Sequence, residues 1–372
     1  MGFKCGIVGL PNVGKSTIFN ALTSAGAASA NYPFCTIDPN VGRVDVPDPR
    51  LQTLDTYVKA QRIVPAFMEF VDIAGLVKGA SSGEGLGNQF LGHIKSTDAI
   101  AHVVRCFDGG EITHVEGSID PLRDIEIINT ELVLADMSTV DNAHSRYAKQ
   151  AKTGKKEIAL VAAMLDALNK HLNELKPARI FPLATFVGDE PLVQKAYDEL
   201  HLITAKSVLF VCNVDETMAD GSTDNEWTLK VKAFAAAEGA QSVVICGKIE
   251  EELSQLDPGD RLEMIKDMGM EEPGLDRMIR KGYELLGLQT YFTAGEKEIR
   301  AWTIHKGDKA PAAAGVIHSD FERGFICAEV FTIPDLIKVG ARPKLKEQGM
   351  IRQEGREYLV KDGDVMEFRF NV

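Results

Sequence analysis

The sequence predicts an α/β protein: a parallel sheet laid down in two stretches of the chain, a helical insertion between them, and a small α+β domain at the C-terminal end. Three observations predict it. Short apolar runs alternate with helix-patterned segments in the first third and again from Ser207 to Cys246. Between these stretches, Ile158, Val161, Leu165, Leu168, Leu172 and Leu175 recur at the three- and four-residue spacing of a helical seam. Beyond Leu288 the pattern turns strand-rich, with Asp362-Gly363 between apolar segments as a hairpin signal.

In chain order, Phe3–Gly9 reads as strand, Lys15–Thr23 as helix, Ala66–Ile73 as strand, Asn88–Ser96 as helix and Ala99–Phe107 as a buried strand. From about Asp120 to Leu200 the strand pattern stops. Ile125, Ile128, Leu132, Ala135 and Thr139 repeat the seam spacing more weakly, and the polar stretch Lys152–Lys156 supplies a turn. Two antiparallel helices follow, either as a coiled-coil hairpin or as a plain packed pair. Ser207–Asn213 (strand), Glu226–Glu238 (helix) and Gln241–Cys246 (strand) then resume the sheet, so the helices are an insertion within one domain. Gly274–Leu285 closes it after Pro273. Strands Gln289–Thr293, Glu298–Ile304 and Phe325–Thr332 follow, and Tyr358–Val360 is expected to turn through Lys361–Asp364 into Val365–Phe370. The expected division is residues 1–120 with 201–277, then 121–200, then 278–372.

With 372 residues, 45% hydrophobic and 26% charged, the chain has the composition of a folded protein of two or three units. A net charge of −13 argues against charge-driven nucleic-acid binding by the whole molecule. The six cysteines stand singly, several in apolar strand-like runs, which predicts reduced buried thiols and not a disulfide or zinc framework. No signal-peptide pattern precedes the first strand and no apolar run reaches spanning length, so a cytoplasmic protein without membrane association is expected.

Gly9-Leu10-Pro11-Asn12-Val13-Gly14-Lys15-Ser16-Thr17 fits G-x-x-x-x-G-K-[ST] and stands where it must, between a strand and a helix. The glycines let successive backbone N–H groups turn inward on phosphate oxygens, reinforced by the helix N-terminus, which makes Asn12, Val13, Gly14, Lys15, Ser16 and Thr17 the expected binding residues. Lys15 brings a point charge to the β- and γ-phosphates, a catalytic as well as a binding role, and Ser16 a hydroxyl for Mg²⁺. Asp72-Ile73-Ala74-Gly75 ends a strand as the D-x-x-G of a GTPase-type switch does. Asp72 would hold Mg²⁺ through water, and the Gly75 N–H would sense the γ-phosphate. Thr36, in Tyr32–Ile37, is the natural second Mg²⁺ ligand, and the glycine-rich Ser81–Gly87 suits a second switch. Where Ras-type GTPases carry a water-orienting glutamine stands Leu76, which cannot orient water. His114, in the loop after Ala99–Phe107, is a candidate for that task, although a lone loop histidine is usually a surface residue.

Asn213-Val214-Asp215-Glu216 follows a strand where guanine readers carry N-K-x-D. Val214 and Glu216 alter two of its three positions, so the fork for guanine N1–H and the 2-amino group is lost. Adenine has neither donor, and Asn213 is expected to bond its N7 and N6 edge. ATP should therefore be accepted at least as well as GTP. Cys246-Gly247-Lys248 stands where a loop backing the base would come.

With Asp72-Ile73-Ala74-Gly75-Leu76, Gly85-Leu86-Gly87-Asn88, the altered Asn213–Glu216 and the strand-rich end, the sequence resembles the YchF family of Obg-like ATPases over nearly its whole length. The resemblance implies an Obg-type G domain with a coiled-coil insertion and a C-terminal TGS domain of β-grasp type. It implies Mg²⁺-dependent hydrolysis of ATP in preference to GTP and association with ribosomes, the large subunit being the expected contact, in translation and stress responses. It also matches Asn12–Thr17 to the nucleotide loop, Ser16 and Thr36 to the Mg²⁺ ligands, Leu76 to the family's replacement of the glutamine, and His114 to its catalytic histidine. Lys338, Arg342, Lys344, Lys346, Arg352 and Arg356 cluster in the last domain, as an RNA-facing patch or as a solvated charged face. Two functions stay open: an ATPase, or a nucleotide-gated ribosome- or RNA-binding module whose turnover, on ATP or GTP, is slow and partner-stimulated.

Overall fold

The computed structural model describes residues 3–27, 40–73, 86–108, 117–151, 154–188 and 190–371. Its strands are β1 (Phe3–Val8), β2 (Val41–Asp45), β3 (Ile63–Val64), β4 (Phe67–Asp72), β5 (Ala99–Arg105), β6 (Ser207–Asn213), β7 (Gln241–Ile245), β8 (Leu288–Ala294), β9 (Ile299–His305), β10 (Phe325–Thr332), β11 (Arg352–Glu354) and β12 (Asp364–Phe370). They form two six-stranded sheets, ordered β2-β4-β1-β5-β6-β7 and β11-β10-β12-β8-β9-β3. Two compact units result, 4–42 with 70–278, and 1–3 with 43–69 and 279–372, the division falling within β2 and β4.

In the larger unit β1, β5, β6 and β7 pair in parallel. All seven residues of β5 are buried, as a parallel strand covered on both faces requires. Strand order reverses beside β1, so the crevice beyond its C-terminal end is where this architecture binds ligands. Among the polar side chains buried in this unit, one histidine lies within the sheet. His102 on β5 is 2% exposed, and its Nε2 has no hydrogen-bond partner among the described residues. Burial, aided by the positive charge of Arg179, pushes the imidazole down to about 3. The unfolded chain takes up a proton near 6.5 and the folded one does not, so stability falls as pH drops from 6.5 towards 3. At pH 5 the loss should reach about 2 kcal/mol. Urea unfolding of His102→Leu at pH 7 and pH 5 checks this, the variant losing less than the wild type on acidification.

Helices Pro121–Ala151 and Lys156–Asn173 pack side by side, with Val161, Leu165, Leu168 and Leu172 fully buried along the expected seam. Leu175 is not part of it: it lies beyond the helix, half exposed, at φ 56°. The seam also packs against Ala178, Phe181 and helix Pro191–Asp198 through Val193 and Ala196, so it is the core of a small bundle and not an isolated two-helix coil. The bundle stays with the sheet for a polar reason. Asp136, fully buried, accepts from Ile203 N–H (2.9 Å), Thr204 N–H (2.7 Å) and Thr204 Oγ1 (2.7 Å), just where the chain returns to β6.

The smaller unit wraps its sheet around helix Ala310–Ile317, with Tyr291, Ala328, Val330 and Met366 in the shared core. Against the expected division, residues 43–69 cluster with this unit, because β3 pairs in parallel with β9, although β2 and β4 at the two ends of the segment are strands of the nucleotide sheet. The hairpin expected at Lys361–Asp364 does not form. Leu359 makes only an isolated bridge to Lys309, and β12 pairs with β10 and β8. The Asp-Gly turn is spent on other contacts: Asp362 accepts from Thr290 N–H (2.9 Å) and Arg50 Nη1 (2.6 Å), and Gly363, at φ 87°, donates to Thr290 O (2.8 Å).

Candidate nucleotide site

At the C-terminal end of β1 the chain turns through Asn12 (φ 64°) and Gly14 (φ 94°) into helix Lys15–Ala27. The first intrahelical bond is Ile18 N–H to Gly14 O at 3.0 Å, so the N–H groups of the first turn have no intrahelical acceptor, and no acidic residue stands there. Val13 is buried, pinning the loop, while Ser16 is exposed at the helix start. Gly14 is required twice over: its φ is left-handed, and a Cβ there would sit 2.1 Å from Asn213 Nδ2. Gly14→Ala should therefore cost roughly 1–3 kcal/mol, read as a lower denaturant midpoint, and weaken nucleotide binding.

β4 ends beside the loop, held by Ile73 N–H to Ile7 O (3.3 Å), and brings Asp72 into an ion pair with Lys15. The two side chains are 11% and 23% exposed, shielded enough for their charges to matter and open enough for a ligand to reach. The Lys15 ammonium and the Asp72 carboxylate thus meet at one sheet end, with Ser16 exposed beside Lys15 at the helix start. Hard oxygen donors of this kind, few in number, suit Mg²⁺ held jointly with phosphates. Thr36, Gly75, Leu76 and His114 lie outside the described residues.

Asn213 departs from expectation. Its amide is buried and committed to protein: Nδ2 donates to Val13 O at 2.9 Å, and Oδ1 accepts from Gly247 N–H at 2.9 Å. It braces the phosphate loop against the loop after β7, so the bidentate contact with an adenine edge is not the role this geometry gives it. Val214 is also buried, its N–H donating to Ile245 O at 2.9 Å. Glu216 is half exposed and forms an ion pair with Lys248, whose proton affinity it raises by hydrogen bonding.

Several supports gave no motif signal. Asn225 caps helix Glu226–Ala237 and donates from Nδ2 to Cys106 O at 2.8 Å, tying that helix to the end of β5. Its place before an apolar helical run is the N-cap signal that finds it. Glu250, buried, accepts from Gly274 N–H at 2.6 Å, and Arg277 donates to Glu272 O (3.0 Å) and Val244 O (3.1 Å). No local pattern marks these two. Of the C-terminal basic cluster, Arg342 pairs with Glu367, Arg352 lies 3.7 Å from Asp364, and Arg356 donates to Phe325 O at 3.2 Å. Lys338, Lys344 and Lys346 are exposed. No helix among the described residues is long and apolar enough to cross a membrane.

Residues 4–135 match the family described as "50S ribosome-binding GTPase". Residues 288–371 match the YchF-GTPase C-terminal family, described as a protein of unknown function (DUF933). The ribosome-binding ATPase YchF of Haemophilus influenzae is 54% identical over all of both chains, and that of Bacillus subtilis 52%. The solved structure of the Schizosaccharomyces pombe YchF GTPase superposes with a TM-score of 0.85 at 37% identity, covering 99% of this chain and 98% of that one. With a phosphate loop set at a strand-order reversal, Lys15 against Asp72, and this likeness along its entire length, the chain belongs to the YchF family of P-loop nucleoside triphosphatases.

Proposed function

We propose that this chain is a Mg²⁺-dependent hydrolase of ATP, taking GTP no better, that acts in association with the ribosome through its large subunit. The meeting of Lys15 with Asp72 beyond β1, with Ser16 exposed beside Lys15, carries the reading. Asn12–Thr17 hold the phosphates by backbone N–H groups, and Lys15 neutralises charge that grows as the γ-phosphoryl leaves. Ser16, Thr36 and Asp72 would hold Mg²⁺, which when bound draws charge from the β- and γ-oxygens. Gly75 senses the γ-phosphate, and His114 orients water in place of the residue that Leu76 lacks. The altered Asn213–Glu216 segment supports ATP over GTP, because neither the buried Val214 nor the Lys248-bound Glu216 offers guanine a free acceptor.

The names of the relatives support the ribosome as partner, and the exposed Lys338, Lys344 and Lys346 support an RNA contact by residues 278–372. In this reading residues 1–120 and 201–277, apart from 43–69, which cluster with the smaller unit, handle nucleotide, while 121–200 and 278–372 serve the partner, in the cytoplasm. Leu76 favours slow intrinsic turnover, so hydrolysis resets a nucleotide-gated binding state. Single-turnover ATP hydrolysis should accelerate on adding ribosomes. A rate indifferent to ribosomes and to their isolated large subunits would remove the gating.

A further inference from the structure

The base end of the site holds an ion pair that nothing in the phosphate machinery explains. Glu216 follows β6 and Lys248 follows β7, and their side chains meet although each is more than half exposed, 52% and 67%. The meeting is not the chance encounter of two mobile surface chains, because both loops are fixed to each other from below. Val214 N–H is bonded to Ile245 O at 2.9 Å, and Gly247 N–H to Asn213 Oδ1 at 2.9 Å. The neighbouring carboxylate serves a local purpose: Asp215 Oδ1 accepts from Thr217 N–H at 3.0 Å and from the Thr217 hydroxyl. Lys248 itself opens helix Gly247–Gln255, so its backbone position is set by that element.

Resting on the proposed nucleotide reading, we propose that Lys248 is a specificity-determining residue: it withholds the Glu216 carboxylate from guanine and presents an ammonium to the base edge. Guanine would bring N1–H and a 2-amino group, two donors, towards a carboxylate already held by a cation, with the ammonium itself facing a donor. Adenine brings the N1 lone pair, an acceptor that an ammonium donor suits. Discrimination comes from the mismatched donors left against guanine more than from any gain with adenine.

The test is equilibrium titration of full-length wild type, Lys248→Met, Glu216→Gln and the Lys248→Met/Glu216→Asp double variant with ATP, GTP and inosine triphosphate. Both side chains are surface-exposed, so the variants should fold; thermal melting checks that they do. Lys248→Met is expected to shift the GTP-to-ATP affinity ratio towards GTP by about fivefold, the scale of an exposed ion pair. The double variant should shift it further, and Glu216→Gln should not. Inosine triphosphate, which keeps N1–H without the 2-amino group, should follow GTP. A wild type that favours ATP while Lys248→Met leaves the ratio within about twofold overturns this proposal alone. Inosine triphosphate binding like ATP overturns it as well. A wild type that prefers GTP overturns both it and the nucleotide reading beneath it.

Discussion

Lys15→Ala should lower single-turnover ATP hydrolysis by about 10²- to 10³-fold, the scale of removing one donor that faces developing transition-state charge. The Lys15–Asp72 contact gives the substitution two consequences that can be separated. Truncation removes the charge offered to phosphate, and it also strips Asp72, only 23% exposed, of its counter-ion. Stability isolates the second consequence: a Lys15→Ala/Asp72→Asn double variant should recover the stability that Lys15→Ala alone loses. It should stay inactive, since it lacks both the cation for phosphate and a proposed Mg²⁺ ligand. Lys15→Arg should also be poor, since a planar guanidinium fork cannot occupy the place of a compact ammonium at the loop's centre. Hydrolysis read beside thermal melting separates the two effects.

Asn213→Ala carries the second large effect, and here the structure changes what is expected. A base-reading amide would, on removal, weaken ATP and leave GTP little altered. A brace behaves otherwise. Truncation leaves Val13 O and Gly247 N–H without their partner in a region where Asn213 is only 5% exposed. That should cost roughly 2–4 kcal/mol of folding stability. The phosphate loop and the loop after β7 lose their common strut, so ATP and GTP affinity should fall by similar factors. Denaturant unfolding and titration with both nucleotides measure the two quantities. Unequal losses would return Asn213 to base reading.

What could be read from the sequence follows from how local each cause is. β1, β5 and β6 are largely buried strands, so they appear as mostly apolar runs, interrupted by Lys4 in β1 and by His102 and Arg105 in β5. The phosphate loop is equally local, its strand, glycines and helix lying within about twenty residues. β3 is two residues long and exists through its pairing with β9, far along the chain, so no local pattern announces it or the attachment of residues 43–69 to the smaller unit. Asp362-Gly363 does make its turn, Asp364 N–H donating to Lys361 O at 3.1 Å, but β12 then pairs with β10 and β8 and not with the residues just before the turn. The Asn213 brace spans 200 residues of sequence, and the motif that marks Asn213 says nothing of its partners. The seam of the insertion was legible from Val161 to Leu172, whereas Asp136, which ties the bundle to the sheet, looked like any helix-surface acid.

Competitive titration of ATP and GTP, with Mg²⁺, against the purified protein tests the nucleotide reading most directly. ATP is expected to bind at least as tightly as GTP, with affinity for both lost on removing Lys15. A hundredfold preference for GTP would contradict it.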